Sequence, residues 1–411
     1  MSTRSTTTAS TSTTAWIAAG VLYLSALLQG LATVSFPASS TVLTGTLGLS
    51  SAQYGAIFLP QVALAIVGSI GGGTLADRWG LKPLLLLALV ANAGSQALLA
   101  ATVTLAPGLV YPAVLAGTAS MGLAFGVSGA PLNSYPPLFF PEKGETAVVA
   151  LHSILGAGLA LGPLVVAPFV AREAWVGFPF LLGALCVLTL GAAALLPFPE
   201  PDGDKAQTDT PRPLGSGLFW AFVVAAVAYA FAEGTFSNWA VMYLHEARGV
   251  PEATAGFALS VFWAALVAGR LLTSVLVLRI SSQSVWMVLP ILMGVTFLLL
   301  PLAEGAVLGI GLFALAGLAC SSFFPLLITL ISRAFPDHVA WASSMMIAAL
   351  MFGVGGGSFV FGPLRGAFSF EMIYRFSTLY PVIALAAVFV VVRSEPCKQT
   401  IRELWTGSRC Q

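Results

Sequence analysis

Gly73-Thr74-Leu75-Ala76-Asp77-Arg78-Trp79-Gly80-Leu81-Lys82 joins two long apolar segments near the start of a chain built mostly of such segments. An acid, a base and a glycine squeezed between hydrophobic runs read as a tight turn, where one membrane helix leaves the bilayer and the next re-enters it. The composition around it fits. Of 411 residues 58% are apolar and only 8% charged, with 42 glycines and 25 prolines, and the mean hydropathy is +0.94. A helix that crosses the hydrocarbon core needs roughly 20 mostly apolar residues. In lipid the backbone must satisfy its own hydrogen bonds, which leaves helix bundles or closed barrels. Unbroken apolar runs such as 84–91 favour helices over the alternating short strands of a barrel. The predicted fold class is an all-α polytopic membrane protein.

Apolar windows predict twelve spans, at 16–36, 53–76, 83–105, 111–138, 148–170, 176–196, 217–243, 253–278, 285–303, 305–330, 341–364 and 372–392. Between the sixth and seventh, residues 197–215 hold Glu200, Asp202, Asp204, Lys205, Asp209, Arg212 and several prolines, the composition of a solvated linker. The expected organisation is a cytoplasmic tail (1–14), a six-helix bundle (15–196), a cytoplasmic linker (197–215), a second six-helix bundle (216–393) and a cytoplasmic tail (394–411). With both termini inside, the cytoplasmic segments carry most of the basic residues, which the positive-inside rule favours. The first apolar segment is too long for a cleaved secretory signal and lacks its cleavage pattern, so it reads as a membrane helix. The expected location is the plasma membrane.

A repeat supports two halves. Phe140-Pro141-Glu142 after the fourth span echoes Phe335-Pro336-Asp337 after the tenth, and Gly162-Pro163-Leu164 echoes Gly362-Pro363-Leu364. Transporters are often built from such repeats, with the solute site near the bilayer midplane where the halves meet.

The loop at 73–82 resembles the motif G-x-L-A-D-R-x-G-R-K between the second and third helices of the major facilitator superfamily. It matches at every main position except the first of the final basic pair, which is Leu81 here. The resemblance implies twelve helices in two pseudo-symmetric bundles, alternating access, and a cytoplasmic gate at Gly73, Asp77, Arg78, Gly80 and Lys82, with Asp77 latching onto the start of the eleventh helix. A carboxylate beside a helix N-terminus is favoured by the helix dipole. Two further stretches are similar to the fucose permease branch, whose members include sugar and proton symporters. One runs from Gly129-Ala130-Pro131-Leu132-Asn133 to Gly162-Pro163-Leu164, the other from Glu233-Gly234-Thr235-Phe236-Ser237-Asn238-Trp239 to Gly269-Arg270. Fucose permeases carry acids in the first and fourth helices, where this chain has Gln29 and Asn133.

Glu233 lies inside the seventh span, where an ionisable group is costly and by default marks a pathway or relay. It reads either as a proton-coupling carboxylate or as a structural one bonded to a neighbouring helix. Tyr229, Glu233 and Ser237 share one helix face, as do Ser25, Gln29 and Thr33 in the first span, and the two stripes predict a central polar-lined cavity with Gln29, Glu233 and Ser237 as solute contacts. Gln29-Gly30 aligns with Glu233-Gly234 when the halves are superposed. Asn133 offers donors and acceptors together, suited to a polyhydroxyl ligand or to an interhelical hydrogen bond. The glycines before it, Gly122, Gly126 and Gly129, read as packing positions. Gln61, Asn92, Gln96, Ser321 and Ser322 are weaker candidates of the same polar kind. Asn238 and Trp239 are candidate solute contacts, Trp239 equally an interface anchor. Arg270 either pairs with a carboxylate or snorkels to the interface.

The three histidines and four cysteines show no metal-ligand spacing, and neither a nucleotide-binding motif nor a nucleophile–base set stands out. No cofactor, no enzyme activity and no ATP-driven pump is predicted. The net charge of +1 argues against nucleic acid as a partner. The expected partners are a small-molecule solute, protons and the lipid bilayer. The reading is a proton-coupled symporter for a sugar or related polar solute. The alternative is a proton-coupled exporter of amphipathic or toxic compounds, since Gly158-Leu159-Ala160-Leu161-Gly162-Pro163 is similar to the first part of the drug-exporter motif in the fifth helix.

Overall fold

A computed structural model describes residues 13–199 and 213–394. Among them twelve helices are long and apolar enough to cross a membrane: α1 (Thr13–Ala38), α2 (Ser51–Gly72), α3 (Leu81–Ala101), α4 (Pro107–Phe139), α5 (Thr146–Val170), α6 (Gly177–Leu195), α7 (Gly217–Ala247), α8 (Glu252–Leu276), α9 (Ser282–Leu302), α10 (Gly305–Ala334), α11 (Trp341–Leu364) and α12 (Phe370–Arg393). They coincide with the twelve predicted spans to within a few residues. The two predicted tails and the linker fall largely outside the described residues. Large apolar side chains such as Phe180, Leu188, Leu195 and Val307 are exposed along the spans. In a chain of this hydropathy that surface belongs against lipid, because a soluble protein rarely exposes so much apolar area.

The two six-helix bundles repeat each other in detail. Phe140 and Phe335, which end α4 and α10, have nearly identical backbone angles (φ −129°, ψ 67° and φ −132°, ψ 66°), and each leads into a short 3₁₀ turn opened by proline. α1 is followed by a π-turn at Val42–Thr46, and α7 ends in one at Tyr243–Ala247. Each π-turn is followed by a left-handed glycine, Gly48 or Gly249. The aligned glycines Gly30 and Gly234 let α1 and α7 approach the fifth helix of their own bundle. A Cβ there would collide with the backbone of Leu155 and Gly158, or of Val354.

The turn after α2 is as tight as its sequence requires. The helix continues to Trp79, and Gly80 closes it with φ +84°, its N–H bonded to the Ala76 carbonyl at 3.0 Å, before α3 starts at Leu81. A left-handed residue at a helix C-terminus is most cheaply a glycine.

Twelve alternating spans put the start of α1, the end of α6, the start of α7 and the end of α12 on one face, here the terminal face; the opposite one is the distal face. On the distal side the bundles are in contact. The first turns of α2 meet the end of α11, where Gly55 and Gly362 pack backbone to backbone.

Candidate functional site

Glu233 sits midway along α7, half-buried, and faces the middle of α10. It is bonded to the Tyr229 hydroxyl one turn earlier. That hydroxyl also lies 3.0 Å from the Cys320 carbonyl, and the tyrosine ring stacks on Phe323 at 4.7 Å and 10°. The four residues of α10 from Cys320 to Phe323 explain why. The helix runs to Cys320, breaks at Ser321–Ser322, and resumes at Phe323. A broken helix leaves carbonyls without intrahelical partners, and these demand donors from elsewhere.

α8 supplies a second donor to the same break. Gly269 brings α8 against the Ser321 side chain, and the next residue, Arg270, donates from Nε to the Ser321 carbonyl at 3.1 Å. Arg270 therefore turns towards α10 instead of snorkelling to the interface. Nor does it pair with a carboxylate: among the described residues no acidic oxygen lies within ion-pair distance of it. Arg270 lies near the seam of the two bundles. Gly156 of α5 packs on Val267 of α8, and His152 and Arg270 each lie about one turn from that contact towards the terminal face.

Asn133 joins this group from α4. Its Nδ2 donates to the Gly129 carbonyl at 2.7 Å, which fixes Oδ1 as the acceptor for His152 Nε2 at 2.9 Å. That bond puts the His152 proton on Nε2. Asn133, His152 and Arg270 are all exposed, although each is inside a span. The structure thus joins Tyr229 to Glu233, as their four-residue spacing predicts, and joins Asn133 to His152 near Arg270, a grouping the sequence does not reveal. The sequence offers Arg270 no particular partner, and in it His152 is one of three scattered histidines.

Other sequence candidates lie elsewhere. Gln29 is buried, with Oε1 accepting from Asn92 Nδ2 at 2.9 Å, and serves contact between α1 and α3. Gln96 likewise turns to Ser35 of α1. Ser237 is buried and returns its hydroxyl to the Glu233 carbonyl at 2.8 Å. Asn238 and Trp239 belong to the distal closure. Asn238 Nδ2 donates to Ser358 Oγ at 2.6 Å, its carbonyl accepts from the Tyr54 hydroxyl at 2.7 Å, and Trp239 stacks on Phe361 at 4.4 Å with Tyr54 edge-on at 5.0 Å. Thr41 and Glu252 bond across the bundles nearby. Neither Asn238 nor Trp239 faces open space in this conformation.

In the turn at 73–82, Arg78 is exposed, and the side chains of Gly73 and Asp77 fall outside the described residues. Lys82 donates to the carbonyls of Ala194 and Leu196 at 2.9 and 2.8 Å, closing the end of α6. Gly158, the first glycine of the exporter-like motif, is explained by its packing on Leu27 and Gly30 of α1.

Comparison with known proteins supplies the family. The profile described as Major Facilitator Superfamily matches residues 21–340. An uncharacterized transporter of Sinorhizobium fredii, y4wD, is 26% identical over 384 residues, covering 91% of this chain and 96% of that one. An uncharacterized MFS-type transporter of Mycobacterium tuberculosis is 27% identical over 176 residues, 42% of this chain and 40% of the relative. Among solved structures, a point mutant of the nucleoside transporter NupG superposes with a TM-score of 0.74 at 17% identity, covering 92% of this chain and all of that one. A bacterial homolog of the human lysosomal transporter Spinster, inward-facing and occupied, gives 0.74 at 16% identity, with 91% and 96% covered. The likeness to these structures is one of fold, and the family profile spans most of the chain: it belongs to the major facilitator superfamily of membrane transporters.

Proposed function

We propose that the chain moves a small polar solute, a sugar or related compound, by alternating access, with proton symport as the coupling and Glu233 as the proton carrier. The observation that supports this most is the position of the Tyr229 hydroxyl. It has one proton and two acceptors within reach, the Glu233 carboxylate and the Cys320 carbonyl. When Glu233 is ionised, the proton goes to the carboxylate and the Cys320 carbonyl lacks a partner. When Glu233 is protonated, its own O–H donates to the tyrosine oxygen, and tyrosine donates to Cys320. Protonation therefore changes which bonds hold the break in α10, and an unmade bond to a buried carbonyl is costly. That links proton loading to a helix able to rearrange.

In this reading Asn133 meets the solute in the conformation described. Gln29 and Ser237, buried here, line the path from the distal side, and Asn238 and Trp239 meet the solute when the distal closure parts. The terminal face is cytoplasmic and the membrane is the plasma membrane. Asp77 and Arg78 latch that face when it closes, with Gly73 and Gly80 shaping the turn and Lys82 anchoring it to α6.

The test is uptake of labelled sugars and related solutes into proteoliposomes with and without an inward proton gradient. Glu233→Gln, which mimics the protonated acid, is expected to lose gradient-driven accumulation while keeping exchange between equal solute pools. Undiminished accumulation in that variant would refute the proton-carrier role.

A further inference from the structure

Arg270 is a permanent positive charge within a membrane span, and none of the described carboxylates forms an ion pair with it. Such a charge is expensive in a membrane and is retained where it has a task. Only its Nε is engaged, by the Ser321 carbonyl, and both terminal nitrogens are left without a hydrogen-bond partner among the described residues. The Nε bond turns the guanidinium towards the break in α10.

Two other groups point to the same occupant. Trp263 precedes Arg270 by seven residues, which places both on one face of α8. Its indole N–H is buried and has no acceptor among the described residues. Across from α8, His152 spends Nε2 on Asn133, which leaves its Nδ1 edge free of any partner among the described residues. Beside the buried Ser260 hydroxyl, which can donate or accept, the unspent groups on α8 are donors only: two guanidinium nitrogens and one indole nitrogen. Donors without acceptors, around a fixed positive charge, describe the complement of an anion. A guanidinium fork matches a carboxylate in two parallel hydrogen bonds. The rise of seven helical residues, about 10 Å, suits a molecule with an acceptor oxygen some way from its acid group.

We propose that the transported solute is an organic anion, a carboxylate-bearing polar compound of hydroxy-acid or sugar-acid type. The carboxylate is held by the terminal nitrogens of Arg270, a second oxygen accepts from Trp263 Nε1, and His152 contacts the solute from the other bundle. This rests on the transport reading above and narrows its substrate class from polar solutes in general to anionic ones. It also places the solute against both bundles, since Arg270 and Trp263 belong to one and His152 to the other.

The test is initial-rate uptake into proteoliposomes of a fixed set of labelled probes: D-glucose, D-gluconate, D-glucuronate, L-lactate and succinate. At least one acid is expected to be taken up well and D-glucose poorly. For the preferred acid, Arg270→Gln is expected to raise KM roughly a hundredfold. Arg270→Lys, which keeps the charge and loses the fork, should fall between, and Trp263→Phe should raise KM by about tenfold. Each variant is checked for monodispersity by gel filtration, so that a misfolded protein is not read as a binding defect. D-glucose uptake equal to that of the best acid, or an unchanged KM in Arg270→Gln, would overturn the anion assignment and leave the transport reading standing. No movement of any probe by the wild-type protein would overturn both.

Discussion

Glu233 and Tyr229 are four residues apart on α7, and the helical repeat makes them neighbours before any tertiary contact forms. The Tyr229 ring packs on Phe323 whether or not it carries a hydroxyl. Tyr229→Phe keeps that packing but leaves Glu233 and the buried Cys320 carbonyl without their donor, so it is expected to cost about 1–3 kcal/mol and to abolish gradient-driven accumulation in protein that still folds, as measured by proteoliposome uptake beside thermal unfolding. A loss of folded protein instead would mean that the hydroxyl serves structure. The glycines of α4 separate in the same way. A Cβ on Gly122 would collide with the Gln61 carbonyl of α2, whereas Gly129 faces open space. Gly122→Ala is expected to cost about 1–3 kcal/mol or more, because backbone has to move, and Gly129→Ala almost nothing. Thermal melts of the purified variants decide it. The same geometry explains what could be read in the sequence. Ser237 follows Glu233 by one turn and shares its stripe. Asn238 and Trp239, at five and six residues, are rotated by roughly 140° and 240° from Glu233, and they end in the distal closure. Periodicity gives the face a residue occupies, but it does not say which helix covers that face.

At the scale of elements, the turn at Gly80 and the breaks after α4 and α10 were legible because glycine, proline and charge mark them locally. Phe140-Pro141 and Phe335-Pro336 fold to the same angles because short, like sequences meet like surroundings. The break inside α10 has a local mark that the reading of apolar windows misses: Pro325 has no N–H for the Ser321 carbonyl four residues back and crowds it, whereas Ser321 and Ser322 by themselves are tolerated in membrane helices. The grouping of Arg270, His152 and Asn133 was hidden for another reason: it needs three helices from two bundles, and no local pattern encodes their approach. Lys82, which the motif puts in the gate, makes contacts of its own with the end of α6. Its ammonium ties the start of α3 to the last carbonyls of α6, where a cation is favoured by the helix dipole. Lys82→Gln is expected to lower stability by about 0.5–1 kcal/mol, seen in thermal melts, with the solute KM unchanged. A raised KM at unchanged stability would return Lys82 to the gate.

For the molecule as a whole, the bundles are joined at the distal face, while Asn133, His152 and Arg270, on the terminal side of the Gly156–Val267 contact, are exposed; in the transport reading proposed above this is one end state of alternating access. The joint is made of contacts that can part without breaking a helix: Thr41 with Glu252, Tyr54 with the Asn238 carbonyl, and the Gly55–Gly362 crossing. Transport requires that they do part. The most direct test places cysteines at Thr41 and Glu252, in a background with the four native cysteines replaced, and joins them with a short thiol-reactive linker in reconstituted protein. Uptake of the preferred probe is measured before linking, after linking, and after a reductant releases the linker. Alternating access predicts that linking abolishes uptake and that release restores it. Uptake at an unchanged rate in the fully linked protein would contradict it.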